Sequence, residues 1–529
     1  MLYLLAAGFS FLDALEDASR PAEAKKVDVE DFEKALELPE TQRLFHVVDG
    51  EDELEAILDA PLEKWRVFLH PSQRRLVRID ANGPVRVLGG AGTGKTVVMM
   101  HRAKYLLEEV FTADTDKILV TTYTKTLAED LRKQLDQLCG ESASKIEVKN
   151  LHAWAQRFYE RQVGRQLRIA NDKDRRDAME SAIAEVGEVE YSQSFYLEEW
   201  DQVVQPQNAL TKDAYFKARR VGRGTRLGRK QRVGVWKVLE RYREFLGMAK
   251  LTEWQDVIRE VYLFLEKGDY KLPYCSILTD EVQDLTPNEL RLLRAMVPKG
   301  KADMFLVGDA HQRIYGGATR LGACGIEIRG RAKRLKLNYR TTEEIRNQAI
   351  AVLEGLDIDD LDGGVDSLKG YRSLRSGPKP ELQHFETAAE EEQAILDTLA
   401  RWTSEVPPEE ICIAARTNSL VKDRYAKLLK RAGIEYTQLS NKKAAGKGIR
   451  LATMHRLKGL EFSRVLLVSV QDGQVPKRLP ANALADEASR EDHEKRERCL
   501  LYVAATRARD QLVITGHGAK SPLLKKAHR

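Results

Sequence analysis

Short apolar runs alternate with charged, helix-periodic stretches along most of the 529-residue chain. Five runs have the length of a strand buried on both faces: Val85-Arg-Val-Leu88, Lys117-Ile-Leu-Val-Thr121, Ser276-Ile-Leu-Thr279, Asp303-Met-Phe-Leu-Val307 and Val465-Leu-Leu-Val-Ser469. Each is followed by Gly or polar turn residues, as a parallel βαβ unit requires. The pattern predicts an α/β chain. Between Cys139 and Gly268 it changes to helices rich in charge and aromatic residues, with no strand-like run, which predicts a helical insertion in the first sheet domain. The expected division is an N-terminal extension (residues 1–65), a first sheet domain (66–150 and 270–335), the insertion (151–269) and a second sheet domain (336–529). Asp357 to Pro380 and Asn441 to Gly448 read as linkers or loops.

Composition narrows the class. Five scattered cysteines, Cys139, Cys275, Cys324, Cys412 and Cys499, contain no C-x-x-C pair, which excludes a disulfide scaffold and points to a reducing, cytoplasmic setting. The apolar start, Met1 to Leu12, has no basic flank and is shorter than the ~18 residues needed to cross a bilayer, so it reads as a helix and no membrane is expected. A net charge of +5 hides an asymmetry: residues 1–60 carry sixteen Asp or Glu against five Lys or Arg, leaving a strongly basic body. Such a body suggests a polyanion as partner, and the acidic leader could dock a protein.

Val85–Leu88 runs into Gly89-Gly90-Ala91-Gly92-Thr93-Gly94-Lys95-Thr96 and then a helical stretch, matching G-x-x-x-x-G-K-[ST] in its strand–loop–helix context. In such a loop backbone N–H groups turn around a β-phosphate, Lys95 reaches the β/γ-phosphates and the Thr96 hydroxyl can ligate Mg²⁺. Hydrolysis also needs a carboxylate on the metal and a group that orients water. Asp280, ending Ser276–Thr279, would hold Mg²⁺, and Glu281 would act as general base. Gly308-Asp-Ala-His-Gln312-Arg-Ile-Tyr315 follows another strand, making Gln312 a candidate γ-phosphate sensor at the carboxyl ends of the strands.

Taken in order, these segments resemble the motifs of UvrD/Rep-type superfamily 1 DNA helicases, over roughly residues 66 to 520. Phe68-Leu-His-Pro-Ser-Gln73 resembles the Q motif, whose glutamine reads adenine; Leu335-Lys-Leu-Asn-Tyr339-Arg340 resembles the motif with an adenine-stacking Tyr and an arginine finger. Thr453-Met-His455-Arg-Leu-Lys-Gly459-Leu-Glu461-Phe and Leu500-Leu-Tyr-Val-Ala-Ala-Thr506-Arg507-Ala-Arg509 resemble motifs five and six. The resemblance implies two RecA-like P-loop motor domains with ATP and Mg²⁺ as cofactors, Glu461 on the ribose and Arg507 as second arginine on the γ-phosphate. Guanidinium suits that task because it neutralises charge growing on the transferred phosphoryl group.

The same resemblance assigns Thr122, Tyr123 and Thr124 to single-stranded DNA, hydroxyls on phosphate and the ring on a base. It adds His152, Tyr315 and His455 as further contacts. Lys212 to Arg232 holds nine Lys or Arg, including Arg219, Arg220 and Arg223, opposed only by Asp213; it reads as a backbone contact on strand or duplex, or as a solvated loop. Two departures stand out. Gly317 occupies a position where many relatives place a base-stacking Trp, and the interval from Arg340 to Thr453 is too short for the family's large accessory insertion. The end of the chain soon after motif six leaves no nuclease domain expected. The whole implies an ATP-dependent helicase or translocase on single-stranded DNA and its junctions with duplex, 3′ to 5′, in DNA repair or recombination. The alternative is an ATP-gated clamp or switch, and RNA is the less favoured track.

Overall fold

The computed structural model describes residues 69, 71–122, 125–164, 166–187, 189–220, 226–268, 270–314, 320–366, 370–439, 446–479 and 487–524. The acidic leader, Tyr123, Thr124, Arg223, Tyr315, Gly317 and most of the Asn441–Gly448 loop lie outside them.

The first half begins with α1 (Pro71–Val77), β1 (Val85–Gly89), α2 (Lys95–Tyr105), β2 (Lys117–Thr122), α3 (Lys125–Cys139) and β3 (Ile146–Asn150). The longer helices of an insertion follow: α4 (Leu151–Val163), α5 (Asp172–Val186), α6 (Gln193–Glu199), α7 (Lys212–Lys217), α8 (Arg229–Met248) and α9 (Trp254–Glu266). The chain then returns through β4 (Tyr274–Thr279), α10 (Pro287–Ala295), β5 (Met304–Gly308) and β6 (Ala332–Leu335). These strands form a six-stranded sheet in the order β3-β2-β4-β5-β1-β6, parallel throughout.

The segment expected to be free of strands is therefore not so. Ile146-Glu-Val-Lys-Asn150 pairs with β2 at the sheet edge, where alternate charged positions are tolerated and no continuous apolar run marks the strand. The insertion proper is helical and has its own core, with Phe195, Tyr196, Trp200, Tyr215, Trp236 and Tyr242 buried together. Its helix starts are chemically fixed: Asn171 and Asp174 form a capping box on α5, and Thr211 caps α7.

The second half runs through β7 (Leu337–Thr342), α11 (Glu343–Leu353) and the short strands β8 (Ile358–Asp359), β9 (Val365–Asp366) and β10 (Arg372–Arg375). The expected linker from Asp357 thus contains strand pairings, β8 with β9 and β10 with β7. A second parallel sheet follows from β11 (Glu381–Phe385), α12 (Ala388–Thr403), β12 (Ile411–Ala415), α13 (Ala426–Arg431), β13 (Tyr436–Gln438), β14 (Ile449–Thr453), β15 (Phe462–Leu467), α14 (Glu487–Ala505) and β16 (Ala508–His517). Its order is β11-β16-β15-β12-β14-β13. Both sheets carry apolar cores on their faces, as an α/β layer structure requires, and this is the architecture of two RecA-like domains. Between Arg340 and Thr453 the described residues are taken up by these strands and helices. Among the described residues no helix is long and apolar enough to cross a membrane.

Candidate nucleotide site between the two sheets

The loop between β1 and α2 turns through Gly92 and Gly94 at φ 74° and 76°, conformations that L side chains rarely adopt. Space forbids a side chain as well: a Cβ on Gly92 would stand 2.1 Å from Asn338 Oδ1. Lys95 Nζ donates to the carbonyls of Gly89 and Gly90 at 2.8 and 2.9 Å and lies 4.0 Å from Asp309 Oδ2. Burial pushes the Lys95 ammonium down in pKa, against the pull of Asp309, Glu281 and Asp280.

β4 delivers Asp280 and Glu281 to the same crevice. Thr96 Oγ1 donates to Asp280 Oδ2 at 2.7 Å, so hydroxyl and carboxylate already share one point at the foot of the loop. An all-oxygen pair of this kind fits Mg²⁺. Glu281 sits in the left-handed region at φ 55°, and Gln283 Nε2 donates to its Oε2 at 2.5 Å. The two adjacent carboxylates divide their titration. Burial, and then Glu281, push Asp280 up to about 6; burial also works to raise Glu281, but Lys458, Lys95, Gln283 and Arg507 hold it below the usual range.

β5 delivers the third loop. Gln312 Nε2 donates to Asp309 Oδ2 at 2.8 Å, and Gln312 Oε1 accepts from Arg507 Nη2 at 2.9 Å. Arg507 follows α14 in the second half, is buried, and is pushed down to about 10 by burial and then by Arg340. A second cation crosses between the halves: Lys458 Nζ pairs with Asp284 Oδ2 and donates to the Gln312 carbonyl at 2.9 Å. Burial raises Asp284 to about 7 even against Lys458. Arg340 Nε meets Glu461 Oε2 at 2.6 Å, so the residues expected on γ-phosphate and ribose hold one another. The Tyr339 N–H donates to the Gly92 carbonyl at 2.9 Å. Gln73, expected to read adenine, donates its amide to the Thr93 carbonyl at 3.0 Å.

The chain's N-terminal half, residues 69–318, matches the family model described as UvrD/REP helicase N-terminal domain. Residues 420–518 match the UvrD-like helicase C-terminal domain. The chain belongs to the UvrD/Rep-type superfamily 1 helicases. It is 24% identical over 576 residues to ATP-dependent DNA helicase UvrD2 of Mycobacterium bovis, an alignment covering 85% of this chain and 79% of that protein. To DNA helicase IV of Escherichia coli it is 27% identical, over 84% of this chain and 67% of the relative. To ATP-dependent DNA helicase PcrA of Staphylococcus epidermidis it is 23% identical, over 71% and 51%.

As a member of this family the chain shows an unequal set of expected DNA residues. Thr122 ends β2 with its hydroxyl buried, and His455 lies in the turn after β14, half-buried. His152 Nε2 lies 3.0 Å from Glu289 Oε1 and edge-on to Trp254, which ties it to neighbouring helices. Arg219 is exposed. Arg220 needs correcting as a phosphate contact: its Nε and Nη2 bond both oxygens of the fully buried Glu199 at 2.7 and 2.8 Å. Arg232, from the same basic run, is likewise turned inward, onto the carbonyls of Tyr215, Phe216 and Ala218 that close α7. Sequence reading missed Asp309, Asp284, Lys458 and Asn338; all four sit inside motifs it had already marked, one to three residues from the members it named.

Proposed function

We propose that the chain is an ATP-dependent DNA helicase or translocase that moves 3′ to 5′ on single-stranded DNA and at its junctions with duplex. The reading rests above all on one observation, Arg507 of the second half reaching Gln312 of the first at 2.9 Å. A residue that touches the loop beside the phosphate site from the other sheet is what couples nucleotide state to domain closure. In this reading the first motor domain is residues 66–150 and 270–335, the helical insertion 151–269, and the second motor domain 336–529.

In this reading Gly89 to Thr96 wrap the ATP phosphates and Lys95 neutralises them. Thr96 and Asp280 hold Mg²⁺, which when bound offsets phosphate charge. Glu281 takes the proton of the attacking water, Gln312 senses the γ-phosphate, and Arg340 and Arg507 meet the charge that grows there. Gln73, Tyr339 and Glu461 bind adenine and ribose. Thr122, Tyr123, Thr124, His152, Tyr315, His455, Arg219 and Arg223 face DNA. Action in cytoplasmic DNA repair or recombination completes the proposal.

Steady-state ATPase against single-stranded DNA of increasing length tests it. Hydrolysis that rises with length to a plateau supports a moving motor, and duplexes tailed on either side then give polarity. Hydrolysis independent of length favours an ATP-gated clamp.

A further inference from the structure

The outer side of the phosphate loop is covered by two tyrosines that none of the roles above uses. Tyr502, inside α14, accepts a hydrogen bond from the Ala91 N–H at 3.4 Å, and its side chain is buried. Tyr371, just before β10, stands beside the preceding residue: a Cβ built on Gly90 would lie 3.1 Å from Tyr371 Cε1 and 3.7 Å from the Tyr502 hydroxyl. A side chain at position 90 would thus be crowded by the Tyr371 ring while only touching the Tyr502 hydroxyl. The Gly90 φ lies outside the left-handed range, so space decides it.

Both tyrosines come from the part of the chain after β6, whereas the loop belongs to the first sheet. Tyr502 is five residues before Arg507, and its carbonyl accepts from both the N–H and the hydroxyl of Thr506, at 3.0 and 2.9 Å. One short stretch thus carries the Ala91 contact and the Gln312 contact. Tyr371 is held in turn by Arg346 of α11, which donates to its carbonyl. α11 and α14 pack against each other.

We propose that Tyr502 and Tyr371 are positioning residues for the nucleotide: they set the Gly90–Ala91 turn from outside, so that the loop's grip on phosphate depends on where α14 stands. The inference builds on the reading of Gly89 to Thr96 as the ATP site. It adds a line of communication between the halves that runs to the ground-state binding loop, beside the Tyr339 contact, whereas Arg507 addresses the reacting phosphate.

The test titrates a fluorescent ATP analogue into the full chain and measures ATPase with saturating single-stranded DNA. Tyr502→Phe removes one hydroxyl and is expected to weaken analogue binding and raise the ATP KM about 2–10-fold, with a smaller change in kcat and an unchanged Tm. Unchanged analogue affinity in a variant that melts like wild type overturns the proposal, as does a lower Tm with unchanged affinity. A second arm does not depend on that variant. Gly90→Ala is expected to weaken analogue binding at least about fivefold through its clash with Tyr371, and adding Tyr371→Ala should restore part of that loss. Losses that simply add would show that the ring does not position the turn. Wild-type protein that fails to bind the analogue would instead remove the ATP reading itself.

Discussion

Arg507 Nη2 stands 2.9 Å from Gln312 Oε1, joining the turn after α14 to the turn after β5 across the crevice between the two sheets. The amide's other end is committed to Asp309, so its orientation is fixed with oxygen toward the arginine. Arg507→Ala is expected to lower the DNA-stimulated kcat on the order of 10³-fold while leaving nucleotide binding within a few-fold. Arg507→Lys should not rescue it, because an ammonium cannot present the same planar fork. Steady-state kinetics beside analogue titration separates the two effects.

Glu281 and Lys95 should part company in the same assays. Glu281→Gln keeps the shape of the site and removes the base, so hydrolysis falls by at least ~10²-fold with ATP still bound. Lys95→Ala should lose hydrolysis and weaken binding together. Normal turnover by Glu281→Gln would exclude it as the group that activates water.

Lys458 and Asp284 form a buried pair, with side chains 6% and 0% exposed. Asp284→Ala leaves the buried Lys458 ammonium its Gln312 carbonyl but takes away the Asp284 carboxylate, and is expected to cost about 3–5 kcal/mol, seen as a large drop in Tm. The double variant Asp284→Leu with Lys458→Met should melt above the single one, because the buried ammonium leaves together with its carboxylate. Differential scanning calorimetry decides.

The basic run of the insertion divides into two behaviours. Arg219→Ala, at an exposed position, should leave Tm unchanged and flatten the salt dependence of DNA binding by roughly 0.7–0.9 in the log–log slope. Arg220→Ala takes the counter-charge from buried Glu199, leaving it the Tyr215 hydroxyl, and should lower Tm first. Fluorescence anisotropy at several salt concentrations, paired with melting curves, distinguishes them.

His455 gives a pH signature. Burial, and then Arg416, push its pKa down to about 4, against about 6.5 for an exposed imidazole. Below pH ~6.5 the unfolded chain takes a proton that the folded chain refuses until about 4, so stability is lost as pH falls through that window. His455→Gln removes this loss. The Tm difference between variant and wild type should therefore move in the variant's favour between pH 7.5 and 5; a constant difference would contradict the assignment.

What the chain announced in advance follows from physical cause. Strands β1, β2, β4, β5 and β15 are buried on both faces and so read as continuous apolar runs, although β15 begins at Phe462, three residues before the run that marks it. β3 at a sheet edge and β13, only three residues long and half-buried, give no such signal. In the site, the phosphate loop was legible because its glycines answer to backbone geometry local in sequence. Arg220 was misread because charge density along a chain says nothing of direction: only the fold brings Glu199 beneath it. Lys458 with Asp284, 174 residues apart, is a relationship of the same kind.

The turn after β5 is gripped at two points, through the Gln312 side chain by Arg507 and through the Gln312 carbonyl by Lys458. One contact would act as a ball joint and let the halves swivel in any direction. Two contacts on one short turn, with the Tyr339 and Tyr502 contacts on the Gly89–Thr96 loop beside them, restrict that swivel and make sideways slip costly. The Gln312–Arg507 bond thus also helps to fix how the halves turn, so loosening either anchor should blur the direction of that motion as well as its timing.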